Sequence, residues 1–187
     1  MANRTGNYCA FYVDTPFSQS NLAAYSTKDF VYYNLLKAWA EKDSNFSFVD
    51  SHEKNYNVRD DSNWESTLKP RLHDRLNRSK NIILFLSTLT TNSVALKEEI
   101  DFGINSKGLP LIVVYPEFIE KTDIKDYSKN TIKSQVTSLW NKVPVLRDSI
   151  HKVPSIHLPH DKALIKQTLN NADFMVLTKI KPGTYSY

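Results

Sequence analysis

Two adjacent carboxylates, Glu98 and Glu99, stand at the centre of the most informative stretch of this chain, residues 82–116. A lone buried carboxylate can accept hydrogen bonds from a substrate and stabilise positive charge that develops on it, the task carboxylates perform in glycoside hydrolysis. On a helix, consecutive residues point about 100° apart, so only one of the pair can face a site. Which of the two does so, the spacing leaves open. Other chemistries lack their residues. Four glycines (Gly6, Gly103, Gly108, Gly183) build neither a G-x-G-x-x-G turn nor a P-loop. There is no G-x-S-x-G elbow, no C-x-x-C and no H-x-x-x-H, and five dispersed histidines give no reason to expect a metal.

The elements that must position the carboxylates are legible on either side. Ile82 to Leu86 and Leu109 to Tyr115 are continuous apolar runs, the pattern of strands buried on both faces in a parallel sheet. The first run ends in Ser87-Thr88, so the loop and helix beyond lie at the carboxyl end of a strand, where open α/β sheets bind ligands. The helix is expected over Ser93 to Asn105, with Gly108 as its terminator.

Further strands are expected at Tyr8 to Val13, Phe46 to Val49 and Ser155 to Leu158. A polar loop, Asp14 to Thr27, follows the first strand and is long enough to be functional. Thr27 is a plausible N-cap for a helix over Lys28 to Lys42 that buries Phe30, Val31, Asn34, Leu35, Ala38 and Trp39. A second polar loop spans Asp50 to Asn63. Trp64, Leu68, Leu72 and Leu76 recur at steps of four, with Pro70 kinking or opening that helix. Helices are also expected near Thr131 to Lys142 and at Lys162 to Ala172. Phe174 to Lys179 is either an added strand or a cover for the core. The alternation predicts a flavodoxin-like three-layer α/β sandwich around a mostly parallel five-stranded sheet. A phosphorylatable response regulator is excluded, because the third expected strand ends in Ser87 rather than an aspartate.

At 187 residues, 41% hydrophobic and 12% aromatic, the chain suits one domain with a real core. The net charge of +4 is scattered, with no run suited to nucleic acid. A single cysteine, Cys9, fits a reducing cytoplasm. No signal segment or stretch of 18 apolar residues points to a membrane.

A strand ending in Leu-Ser, a helix carrying Lys-Glu-Glu-Ile and a Gly-Leu-Pro-Leu-Ile-Val-Val strand resemble the TIR fold. The similarity is greatest to the bacterial TIR-like branch of the ThsB proteins in Thoeris anti-phage defence. It is best over residues 81–116, fair over 8–79 and nearly absent after Tyr127. A single TIR-like domain over 1–187 is therefore expected, with its core at about 8–116 and a variable part at 117–187.

In that family the helix bears Trp-x-x-x-Glu, and the glutamate is catalytic in NAD-consuming members. The match falls on Glu99, with Ala95 in place of the tryptophan; Glu99 is thereby the candidate catalytic residue, and Glu98, about 100° away on the helix, is expected to be solvated. The resemblance implies cleavage of the nicotinamide–ribose bond, with NAD as substrate and no cofactor. It also implies an ADP-ribose-derived signal, a cyclic isomer or a conjugate, that reaches a separate effector as a diffusible nucleotide. A phage-derived trigger and a homo-oligomeric active state belong to the same expectation.

Candidates for substrate binding follow the sheet edge: Phe11, Tyr12 and Asp14 close the first strand, where members of that family place residues contacting the nicotinamide ribose, Ser87 ends the third and Tyr115 the fourth. His52, Tyr56, Arg59 and Trp64, in or beside the second loop, could meet adenine and diphosphate. His52 could also carry a proton. Plain NAD hydrolysis and a non-catalytic assembly module remain open alternatives.

Overall fold

The computed structural model describes residues 4–12, 28–52 and 63–187. Five strands form one all-parallel sheet: β1 (Gly6–Ala10), β2 (Ser79–Phe85), β3 (Leu111–Tyr115), β6 (Pro154–Pro159) and β7 (Gly183–Ser186), in the order β1-β2-β3-β6-β7. Their registers pair Tyr8 with Ile82, Leu84 with Val113 and Val113 with His157.

The central strands are buried on both faces, as their unbroken apolar runs require. Tyr8, Ala10, Ile82, Leu84, Leu111 and Val113 join one core layer. Cys9, Ile83, Phe85, Ile112 and Val114 join the other. Helices α2 (Lys69–Asn77), α3 (Val94–Asp101) and α6 (Pro144–Ser149) cover the first face; α1 (Lys28–Lys42) and α7 (Lys162–Leu169) cover the second. No helix among the described residues is long and apolar enough to cross a membrane.

Several expectations change. Phe46 to Val49 is not a strand. Asn7 makes a single parallel bridge to Asp50 there, through Asn7 N–H to Val49 O at 2.6 Å and Ser51 N–H to Asn7 O at 3.2 Å. The alternating Phe46 and Phe48 are both buried, but their N–H groups bond locally, to Asp43 O and Phe46 O, so no ladder can propagate. The fifth strand comes instead from β7, which carries few aliphatic residues. The segment 174–179 covers the core rather than adding a strand: Phe174 is buried and Val176 N–H bonds to Lys80 O. Helix α1 keeps its expected bounds and buries a different face, with Tyr33 and Leu36 inside and Val31 left 54% exposed. Thr27 lies outside the described residues. A small antiparallel hairpin, β4 (Lys125–Asp126) with β5 (Thr131–Ile132), the short helix α4 (Lys121–Ile124), and α6 were not anticipated; α5 (Ser134–Trp140) was.

A π-helical turn, Trp64–Leu68, precedes α2 and places Pro70 in that helix's first turn, where its missing N–H costs no hydrogen bond. Ser93 caps α3 by accepting from Leu96 N–H. The helix passes into a π-helical turn at Phe102–Ser106, and Gly103 lies so close to the sheet that an added Cβ would meet Ile82 Cδ1 at 2.2 Å. Gly108 then reverses the chain at φ +59°, a conformation glycine adopts without strain.

Candidate active site

Leu96 and Ile100 anchor α3 in the core, which turns the intervening Glu99 side chain toward β1. The residue is half-buried as a whole, but its Oε2 is closed to solvent and has no hydrogen-bond partner among the described residues. Oε1 accepts from the hydroxyl of Tyr8 at 2.8 Å. Burial pushes the Glu99 carboxyl up to about 8, against the opposing effects of the Tyr8 hydrogen bond and the Arg75 charge. Desolvation disfavours the charged form, and one hydrogen bond with one neighbouring cation only partly offsets it.

His52 lies against this pair, its ring 4.6 Å from that of Tyr8. The carbonyl of Cys9, 3.1 Å from Nε2, can only accept, so Nε2 carries the proton and donates to it. Nδ1 then accepts from Arg75 Nη1 at 3.4 Å. Burial and Arg75 lower the imidazole to about 4, so His52 is neutral at pH 7 with both nitrogens engaged. That arrangement suits a packing and orienting residue better than a proton carrier. Asp50 fixes the loop, accepting from His52 N–H at 2.8 Å and from the Tyr33 hydroxyl.

Phe11 stacks on Tyr33 at 5.6 Å, just beyond β1. Tyr12 donates its backbone N–H to the carboxylate of Asp29, itself buried and raised to about 6 mainly by desolvation. Trp64 is half-buried and packs on the same core layer as Tyr8. Ser87 is buried and spent on its own turn: its N–H donates to Thr90 Oγ1 and its Oγ accepts from Leu89 N–H. Tyr115 lies in the core, its hydroxyl held by His157 Nδ1 at 2.6 Å and Trp140 Nε1 at 2.8 Å. Asp14, Tyr56 and Arg59 lie outside the described residues.

The structure therefore gathers Glu99 and His52, with Phe11 linked through Tyr33, and leaves Ser87 and Tyr115 engaged elsewhere. Glu98 is not simply solvated. It is tied to α2 through His73 at 2.7 Å and Lys69 at 3.6 Å, and His73 stacks on Phe102.

Sequence reasoning missed Tyr8 and Arg75. A tyrosine inside a buried strand must find a partner for its hydroxyl, which was a usable signal for Tyr8. Arg75 gave none, because it sits between the apolar positions of an ordinary amphipathic helix.

A five-stranded all-parallel sheet covered by helices on both faces is consistent with a TIR-like, flavodoxin-like fold. Residues 8–122 match the family model described as "Thoeris protein ThsB, TIR-like domain". This is more than half of the chain, and the chain belongs to that family, as a TIR module of Thoeris defence.

Proposed function

We propose that this chain cleaves the nicotinamide–ribose bond of NAD at Glu99 and releases an ADP-ribose-derived signal during phage infection. The observation that carries the reading is the carboxylate itself: buried, held at Oε1 by Tyr8, and unpartnered at Oε2 in a member of this family.

When the glycosidic C–N bond breaks, its electron pair leaves with the nicotinamide nitrogen, which becomes neutral. The ribose is left as an oxocarbenium-like cation. Nicotinamide needs no proton to depart, so a general acid is unnecessary, and neutral His52 is consistent with that economy. An ionised Glu99 stabilises the cation by accepting hydrogen bonds from ribose hydroxyls and through its own charge, in surroundings of low dielectric. Capture by water would give ADP-ribose. Capture by another atom of the same molecule would give a cyclic isomer, and capture by a separate small molecule a conjugate. The proposed product is a cyclic isomer or conjugate, a diffusible nucleotide that activates a separate effector. A phage-derived trigger and homo-oligomerisation in the cytoplasm complete the proposal.

The test is NAD incubated with purified protein, with and without lysate from phage-infected cells, beside Glu99→Gln, with products resolved by mass spectrometry. Nicotinamide release with a new species at or above the mass of cyclised ADP-ribose supports the reading. Intact NAD throughout, with Glu99→Gln still protective in cells, overturns it in favour of an assembly module.

A further inference from the structure

We propose that Tyr8 is the positioning residue for Glu99, its hydroxyl locking Oε1 so that Oε2 is the oxygen presented to the ribose. The proposal rests on the NAD-cleaving reading above and adds a residue to it. A carboxylate's terminal torsion is broad and nearly two-fold, so packing of the stem alone does not decide which oxygen faces a ligand. A fixed donor does.

Tyr8 is fixed three times over. Its backbone is in register with Ile82 in the sheet, its side chain is 1% exposed, and one side of its ring lies against His52. His52 is in turn held through Cys9 O, Arg75 Nη1 and Asp50 Oδ1. The hydroxyl thus has little room to leave Oε1, 2.8 Å away. Oε2 is the carboxylate oxygen left without a partner among the described residues, and an unpaired buried acceptor is costly unless a ligand uses it. The titratable groups bearing on Glu99 are Tyr8 and Cys9 from β1 and Arg75 from α2, with neutral His52 between them.

Tyr8→Phe keeps the ring and removes the donor. Two readouts are taken. The first is the ¹³C titration of the Glu99 carboxyl in the unliganded protein, assigned by its loss in Glu99→Gln. The second is NAD turnover across pH, under the condition in which the wild type is active. Without the donor the carboxyl titrates at higher pH. The kcat falls about 10–100-fold with KM little changed, the scale of a misplaced catalytic group, and the acid limb of the profile moves up with the titration.

In the Glu99→Gln background, where no carboxylate is stranded by the lost hydroxyl, Tyr8→Phe folds and leaves residual turnover unchanged. A residue acting only on stability would lower both backgrounds alike. Wild-type turnover with an unaltered kcat and acid limb in Tyr8→Phe overturns the proposal, as does an unmoved carboxyl titration. A shifted titration in a protein that leaves NAD intact under every condition identifies the failure as that of the cleavage reading, and the proposed role falls with it.

Discussion

Glu98 and Glu99 are consecutive in the chain and send their carboxylates to different seams, one between two helices and one between helix and strand. Glu98 meets His73 at 2.7 Å and Lys69 at 3.6 Å on α2, whereas Glu99 meets Tyr8 on β1. The first is a partly exposed ion-pair cluster of modest worth. The second is a carboxylate taken out of water with one hydrogen bond made. The step of about 100° between neighbours on a helix produces this division.

The pair predicts opposite outcomes for the same chemical change. Glu99→Gln lowers NAD cleavage by about 10²–10³-fold, the scale of losing one electrostatic stabiliser of a transition state. Glu98→Gln leaves kcat within roughly threefold and costs less than about 1 kcal/mol of stability. Steady-state nicotinamide release and urea denaturation of both variants check this.

Turnover depends on pH through Glu99. The ionised carboxylate stabilises the ribosyl cation, so with the carboxyl raised to about 8 the rate climbs through neutral pH and levels off above that value. His52, lowered to about 4, contributes no limb near 6.5. A pH–rate profile flat between 6 and 9 would contradict the assignment.

Stability moves the other way. Between the ordinary carboxylate range and about pH 8 the folded chain keeps a proton on Glu99 that the unfolded chain has released. Folding is therefore progressively disfavoured as pH rises through that window. The melting temperature of wild type falls relative to Glu99→Gln from pH 5 to 8.5, measured by scanning calorimetry at matched ionic strength.

Tyr115→Phe removes a hydroxyl that His157 and Trp140 both use in the core. The loss is about 1–3 kcal/mol from stranded buried groups, with turnover of the folded protein unchanged. A selective rise in KM at unaltered stability would restore Tyr115 to the substrate site.

Asn81→Leu tests what replaces the second strand. Asn81 accepts from Asn7 Nδ2 at 2.7 Å and donates to Phe174 O at 2.9 Å, while Asn7 Oδ1 accepts from Val49 N–H. Stranding both partners costs roughly 2–4 kcal/mol in chemical denaturation. Hydrogen exchange is expected to quicken at the Val49 N–H, which the Asn7 side chain holds.

The sequence by itself determined the parallel sheet's centre and the helix that carries the Glu98-Glu99 pair; the choice of Glu99 within that pair came from the family resemblance. The runs at Ile82 to Leu86 and Leu109 to Tyr115 have no polar alternation, and only burial on two faces accommodates them. The cap at Ser93 and the terminator Gly108 bound the helix by local rules, whereas Gly103 answers to the close approach of Ile82 in the sheet. Tertiary structure alone decided the rest. Phe46 and Phe48 alternate like a strand, yet their N–H groups are satisfied locally, and an amide pair on Asn7 and Asn81 fastens that segment to the sheet. The edge strand β7 carries little hydrophobic signal because its pairing comes from backbone geometry with β6. Tyr8 and Glu99 stand 91 positions apart, and nothing in the residues between them encodes the contact. It arises because the parallel crossover lays α3 over β1, bringing a buried hydroxyl that needs an acceptor to a buried carboxylate that needs a donor.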